Sequence, residues 1–330
     1  MKKIAIVTPC FNEEENIGPF FDRLSKVLAR HDQYAFQLIL VNDGSSDGTF
    51  PAIEKLSKQQ KWVKGINFTR NFGKEAALTA GLNHAGGDAV IFIDADLQHP
   101  PEVIDDFIHA WEHGAEVVLG RRISRDTDTK AYRFLASIFY RLHNRISDVK
   151  LPENVGDFRL IDRKVADHLR SMPENCRFMK GMFAWVGYAP QFVEYEVEER
   201  FGGKSSFNKW RSWNLALEGI TSFSTAPLRV WTYIGTGVLL VGLLYSALII
   251  VRALMYGIQT PGYVTLLTAM VIFGGVQLIG LGILGEYIGR IYIEAKRRPP
   301  YLIKEMVQQE TPPVAHLDGH SPYGKEQDAR

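Results

Sequence analysis

Along the first 122 residues, short apolar runs alternate with stretches of mixed, helix-like periodicity. KIAIVTPC precedes NIGPFFDRLSKVLAR, FQLILVND precedes GTFPAIEKLSKQQ, VKGINFT precedes KEAALTAGLNHA, AVIFIDAD precedes PEVIDDFIHAWEHG, and AEVVLGRR closes the series. The short runs suit buried strands and the longer ones suit helices. The first run follows two lysines, ends at Pro9 and leads into acidic residues, so it reads as a strand and not as a signal peptide. A βα repeat of this kind predicts an α/β fold with a mainly parallel sheet and helices on both faces. Ligands bind such sheets beyond the carboxyl ends of the strands. The segments at those positions are Pro9 to Glu14, Asn42 to Ser46, Asp94 to His99, and Arg121 with Arg122.

The pattern changes in the last third. Between Arg229 and Arg252 lie 22 uncharged residues, and a second uncharged stretch runs from Ala253 to Gly285, interrupted by YGIQTPGY. Each half can cross ~30 Å of hydrocarbon as a helix, which predicts two membrane spans at about 231–253 and 263–285. Arg229 precedes the first, Arg290, Lys296, Arg297 and Arg298 follow the second, and the intervening loop has no Lys or Arg. Positive flanks stay in the cytoplasm, so the N-terminal domain and the tail are both expected there. The expected division is a cytoplasmic α/β domain over 1–208, an interfacial amphipathic helix over 209–228, two spans within 229–290, a cytoplasmic juxtamembrane segment over 291–307 and a disordered tail over 308–330.

A formal net charge of +1 over 330 residues removes the strong basic excess of a nucleic-acid binder. Cys10 and Cys176 form no CxxC, so neither a disulfide framework nor a zinc site is expected. No GxGxxG or GxxxxGK[ST] occurs at a βα turn, which argues against a Rossmann dinucleotide site and a P-loop.

Two motifs carry chemistry. In VNDGSSDGT a strand ends at Asn42 and a turn begins at Asp43. Its aspartate either serves the turn and the helix cap or offers an acceptor edge to the imide N–H of uracil or guanine. In DADLQ, Asp94, Asp96 and Gln98 alternate; on an extended segment they would share a face and offer oxygens to one Mg²⁺ or Mn²⁺. Such an ion would act as a Lewis acid on a departing diphosphate.

FNEEENI, VNDGSSDGT, DADLQHPPEVI, GDFRLIDRKV and LGEYIGRIYIEAKRRP together resemble the polyprenyl-phosphate glycosyltransferases of glycosyltransferase family 2. The resemblance, over about residues 3–303, is to the bactoprenol glucosyltransferase branch, related to dolichol-phosphate mannose synthase. It implies a GT-A fold followed by two membrane helices. It places the nucleotide sugar on Pro9, Phe11, Glu13, Val41, Asp43, Asp94, Ala95, Arg200 and Lys204, and the metal on Asp94, Asp96 and Gln98, with Asp96 and Asp157 counted as catalytic. Arg121, Arg133 and Ser137 would hold the lipid phosphate. The loop closing over the donor commonly reads R-x-x-G-x-S/T-K, whereas here it is RFGGKSSF, so Lys204 departs from the pattern.

The implied activity is metal-dependent, inverting transfer of a hexose from a UDP-sugar, foremost UDP-glucose, to undecaprenyl phosphate at the cytoplasmic face of a bacterial inner membrane. A separate flippase would act afterwards, in the supply of sugar for O-antigen modification, and the resemblance implies a homotetramer. The alternatives are another donor, GDP-mannose or a UDP-amino sugar, and a non-catalytic membrane scaffold that binds nucleotide sugar. A processive polysaccharide synthase would carry QxxRW, which does not occur.

Residues 130–146, KAYRFLASIFYRLHNRI, place Phe134, Leu135, Ile138, Phe139 and Leu142 at helical spacing among basic residues, as in a helix lying in the membrane interface. KWRSWNLALEGITSF, residues 209–223, reads as a second such helix. Asp157 matches a residue proposed as a base in the family. A phosphate monoester, with a second pKa of about 6, needs no base near neutral pH, so an orienting role is expected for Asp157. His99 is expected to be structural.

Overall fold

The computed structural model describes residues 1–123, 150, 152, 155–174, 177–198 and 262–309, with scattered positions between 231 and 255. Its centre is an eight-stranded sheet in the order β7-β5-β6-β4-β1-β2-β3-β8. The strands are β1 (Lys2–Cys10), β2 (Tyr34–Asn42), β3 (Val63–Phe68), β4 (Ala89–Phe92), β5 (Val117–Arg122), β6 (Val155–Asp162), β7 (Pro190–Tyr195) and β8 (Ile303–Gln308). Ile4 to Val7, Leu38 to Val41 and Ala89 to Phe92 are apolar on both faces and buried on both, as a sheet covered twice requires.

Helices α1 (Glu14–Leu28), α2 (Thr49–Gln59) and α4 (Val103–Glu112) follow β1, β2 and β4. Phe20, Leu24, Ile53, Ile104 and Phe107 fill the core on one side of the sheet. On the other side lie α3 (Lys74–His84), α5 (Arg163–Ser171) and α6 (Met179–Trp185), with Ala77, Leu78, Val165, Leu169, Met179 and Met182. Every residue of α3 from Ala76 to Leu82 is buried, which its small and apolar composition allows. A Cβ on Gly81 would meet Val7 at 2.1 Å, so α3 lies close against β1.

The sheet is mixed, which corrects part of the expectation of a mainly parallel one. β1, β2, β3 and β4 pair in parallel, as do β5 and β7, but β6 runs antiparallel between β4 and β5, and β8 runs antiparallel along β3. The GDFRLID stretch, read from sequence only as a motif, is therefore a central strand.

Helix α7 (Tyr263–Lys296) contains the one segment among the described residues that is long and apolar enough to cross a membrane, Phe273–Lys296. Leu266, Met270, Leu278, Ile279 and Ile291 on it are exposed. The helix runs past the expected end of the second span at 285. Nearly half of the first expected span lies outside the described residues, and the positions described between 231 and 255 are helical. The Trp231 ring occupies the space a Cβ on Gly280 would need, so the two segments touch there. The stretch 291–307, expected as a juxtamembrane segment, supplies the end of α7 and most of β8. Both interfacial helices expected at 130–146 and 209–223, and the tail beyond 309, lie outside the described residues.

Candidate active site

β1, β2, β3 and β4 deliver their connections to one edge of the sheet, where the loops are tied to each other. Asn12, at φ +55, donates its N–H to Ser45 Oγ at 2.9 Å and accepts from the Ser46 N–H at 2.9 Å. The Glu13 N–H donates to Thr49 Oγ1 at 2.8 Å, and the Glu13 carboxylate accepts from Asn16. Glu14 accepts from the Gly48 N–H at 2.8 Å. Pro9 and Phe11 are half-buried at this edge. The Val41 side chain, by contrast, is wholly buried in the core, and so is that of Ala95 at 2% exposure, so neither side chain offers a surface to a ligand.

Asp43 has a structural task. Its Oδ1 accepts from the Phe72 N–H at 2.7 Å and its Oδ2 from the Gly73 N–H at 2.9 Å, which fixes the loop before α3. Burial raises its carboxyl above the ordinary range, while the two N–H donors and Arg70 pull the other way. The carboxylate keeps further acceptor lone pairs beyond these two bonds.

Beyond β4 the chain turns. Leu97 is at φ +60, and the Gln98 N–H donates to Asp96 Oδ1 at 3.1 Å. The expected alternation of 94, 96 and 98 along an extended face is therefore wrong; a tight turn sets their relative placement. Asp96 is 6% exposed. His99 is buried, stacks on Phe158, bonds Tyr195 Oη through Nδ1 at 2.7 Å, and brings Nε2 to 3.6 Å from Asp94. It borders the acidic group, besides filling the core.

The centre of the site is Lys74, at the start of α3. Its Nζ lies 2.7 Å from Asp94 Oδ1 and 2.8 Å from Asp157 Oδ2. The Lys74 side chain is 44% exposed; partial shielding of its ammonium from water would lower it, but the two carboxylates raise it above its usual value. Reciprocally, Lys74 holds both carboxyls well below the usual range against the cost of burial, with His99 assisting at Asp94 and Lys180 at Asp157. Around them, Glu75 accepts from the Met179 N–H at 3.0 Å, and burial followed by Asp157 pushes it up to about 7. Arg159 bonds the Gly156 carbonyl at 2.6 Å, stacks on Phe183, and is pushed down to about 10 by burial. The sequence reading missed Lys74, Glu75, Arg159 and Lys180. Lys74 opens α3 at the far end of the connection that follows β3, so the strand-end rule finds it when the whole β3–α3 connection is included.

Arg121 is half-buried, 3.8 Å over the Phe192 ring and 3.9 Å from Glu194. Arg133, Ser137, Arg200 and Lys204 lie outside the described residues.

Asp94, Asp96 and Gln98 supply hard oxygen donors suited to Mg²⁺ or Mn²⁺. Asp157 Oδ1, buried without a hydrogen-bond partner, is a further oxygen close by. Among the described residues no three His, Cys, Asp or Glu side chains form a metal cage. Asp94, Asp96 and Gln98 are the residues that would hold such an ion.

The profile of glycosyl transferase family 2 matches residues 5–170, and that of the GtrB C-terminal hairpin matches residues 226–291. The chain is 52% identical to the bactoprenol glucosyl transferase of Shigella phage SfV over 93% of its own length and 100% of that protein's. It is 50% identical to a prophage bactoprenol glucosyl transferase homolog of Escherichia coli K12, over 92% and 99% of the two chains. A solved structure, glucosyl-3-phosphoglycerate synthase from Mycobacterium tuberculosis with Mn²⁺, UDP-glucose and phosphoglyceric acid, aligns at 18% identity and TM-score 0.44 over 67% of this chain and 78% of that one. A covered sheet with an acidic edge and a family match across half the chain make this enzyme a glycosyltransferase. The chain belongs to glycosyltransferase family 2.

Proposed function

We propose that the enzyme moves glucose from UDP-glucose to undecaprenyl phosphate, with inversion at the anomeric carbon, at the cytoplasmic face of a membrane crossed by its C-terminal hairpin. The observation that carries this reading is the Lys74 ammonium between Asp94 and Asp157, at the sheet edge where the loops after the parallel strands converge. The long apolar helix α7, joined through β8 to the same sheet, supports a lipid acceptor, as do the names of the relatives.

The acceptor phosphate is largely dianionic near neutral pH. One of its oxygens attacks the anomeric carbon, the bond from that carbon to the diphosphate oxygen breaks, and UDP leaves with the electron pair. No proton has to be removed from the acceptor. Asp157, held ionised beside Lys74, orients the reactants, and Lys74 supplies positive charge close to the place where the diphosphate leaves. A divalent ion on Asp94, Asp96 and Gln98 would supply Lewis-acid stabilisation of that leaving group. The base is proposed to lie on the Asp43 loop, near Pro9, Phe11 and Glu13. Arg121, with Arg133 and Ser137, is proposed to meet the lipid phosphate, Arg200 and Lys204 to close over the donor, and a separate flippase to carry the product across.

The test is transfer of radiolabel from a panel of UDP- and GDP-sugars into organic-extractable lipid by purified protein with undecaprenyl phosphate and Mg²⁺ or Mn²⁺. Label from UDP-glucose, abolished by EDTA and by Asp96→Ala, is the expected result. Label from a different donor alone would replace the sugar, and lipid label from none, with nucleotide binding intact, would overturn the enzymatic reading.

A further inference from the structure

The strand that follows the membrane helix reaches the loop assigned to the donor base by two independent routes. Glu305, on β8, stands opposite Asn67 on β3, which stands opposite Asn42 on β2. Asn67 Nδ2 donates to Glu305 Oε1 at 2.9 Å, and Asn42 Nδ2 donates to Asn67 Oδ1 at 2.8 Å. Asn42 Oδ1 then accepts from the Ser45 N–H, inside the Asp43–Ser45 turn, at 3.4 Å. Both asparagines are buried. A carboxylate only accepts and a backbone N–H only donates, so the two ends of this chain fix both amide orientations in the same sense.

The second route runs through the backbone. The Thr69 N–H donates to the Leu302 carbonyl at 3.0 Å, Tyr301 stacks on Phe68 with centroids 5.1 Å apart, and the Tyr301 hydroxyl accepts from Asn83 at 3.1 Å. These contacts hold the start of the segment whose far end, Phe72 and Gly73, donates to the Asp43 carboxylate.

We propose that Glu305 is a positioning residue for the donor nucleotide, acting through Asn67 and Asn42 on the Asp43–Ser45 turn, so that the strand after the membrane helix forms part of the donor site. This rests on the reading that the base lies on that turn. Glu305 itself is exposed, so its replacement leaves the core intact.

The experiment measures UDP and GDP binding by titration calorimetry on the detergent-solubilised full chain, together with donor KM, kcat and melting temperature, for wild type and for Glu305→Gln, Glu305→Ala and Glu305→Lys. A glutamine still offers an acceptor to Asn67, an alanine offers nothing, and a lysine offers only donors and reverses the required polarity. The expected order is Glu305→Gln near wild type, Glu305→Ala weaker by about threefold and Glu305→Lys by about tenfold or more, in nucleotide affinity and donor KM alike, with kcat and melting temperature nearly unchanged. Wild-type affinity in both Glu305→Ala and Glu305→Lys overturns the proposal, and so does an equal loss in all three variants accompanied by a lowered melting temperature. If wild type binds neither nucleotide, the placement of the base fails first and the proposal falls with it.

Discussion

Lys74 Nζ and Asp157 Oδ2 are 2.8 Å apart, although 82 residues lie between them in sequence, and the same ammonium lies 2.7 Å from Asp94 Oδ1. Two carboxylates sharing one cation can both remain ionised at a partly shielded site where alone they would repel. The arrangement sets one cation between two carboxylates at the sheet edge, and in the proposed reaction that cation faces the departing diphosphate.

Replacing Lys74 should therefore damage catalysis more than donor capture. Lys74→Met is expected to lower kcat by about 100-fold, the size typical for loss of one group stabilising developing charge. Lys74→Arg should retain a measurable part of the activity. Steady-state kinetics of lipid glycosylation checks both, and wild-type kcat in Lys74→Met would remove the lysine from the mechanism.

For Asp157 the decisive quantity is the shape of the pH profile. If the carboxylate orients ligands, Asp157→Asn loses activity by about tenfold or more at every pH, because the acceptor phosphate is ionised without help. A variant that recovers steeply between about pH 6 and pH 9 would instead be regaining a missing base.

Much of this site is legible in the chain because strand ends announce themselves. AVIFIDAD and FQLILVND each pass from apolar to acidic within a residue or two, and both deliver aspartates to the carboxyl edge. What stays hidden depends on pairings without local periodicity. Nothing in GDFRLID says that it runs antiparallel between β4 and β5, and nothing in IKEMVQ, half charged or polar, says that it closes the far edge of the sheet. The turn at Leu97 is hidden for another reason: a left-handed leucine is disfavoured locally and is held there by its surroundings. Hence the reading of DADLQ as a set of metal donors rested on an extended geometry that the backbone does not follow.

Gly44 offers a test of the loop architecture. It sits at φ +63, and a Cβ there would lie 2.3 Å from the Arg70 carbonyl carbon and 2.4 Å from the Asn71 nitrogen. Since those atoms are backbone, neither can yield cheaply. Gly44→Ala is expected to cost about 2 kcal/mol or more of stability and to weaken UDP binding, as the Asp43 turn and the 70–73 loop are forced apart. Thermal unfolding and calorimetric titration on the same variant measure the two effects; an unchanged melting temperature would show that the loops are not pressed together.

Glu75 provides a prediction whose sign follows from its surroundings. Burial and Asp157 push its carboxyl up to about 7 in the folded protein. A raised acid contributes most stability when protonated, so this contribution is fully present below its unfolded value near 4.5 and declines as pH rises to about 7, remaining lost above that. Glutamine is isosteric with the protonated acid and can still accept from the Met179 N–H. Glu75→Gln should therefore match wild type at about pH 4.5 and exceed it at about pH 8 by on the order of 1 kcal/mol. Denaturant unfolding at the two pH values measures the difference directly. A variant less stable than wild type at the higher pH would mean that the ionised carboxylate is held by a favourable partner, and that the acidic group around Lys74 includes Glu75 as a third negative charge.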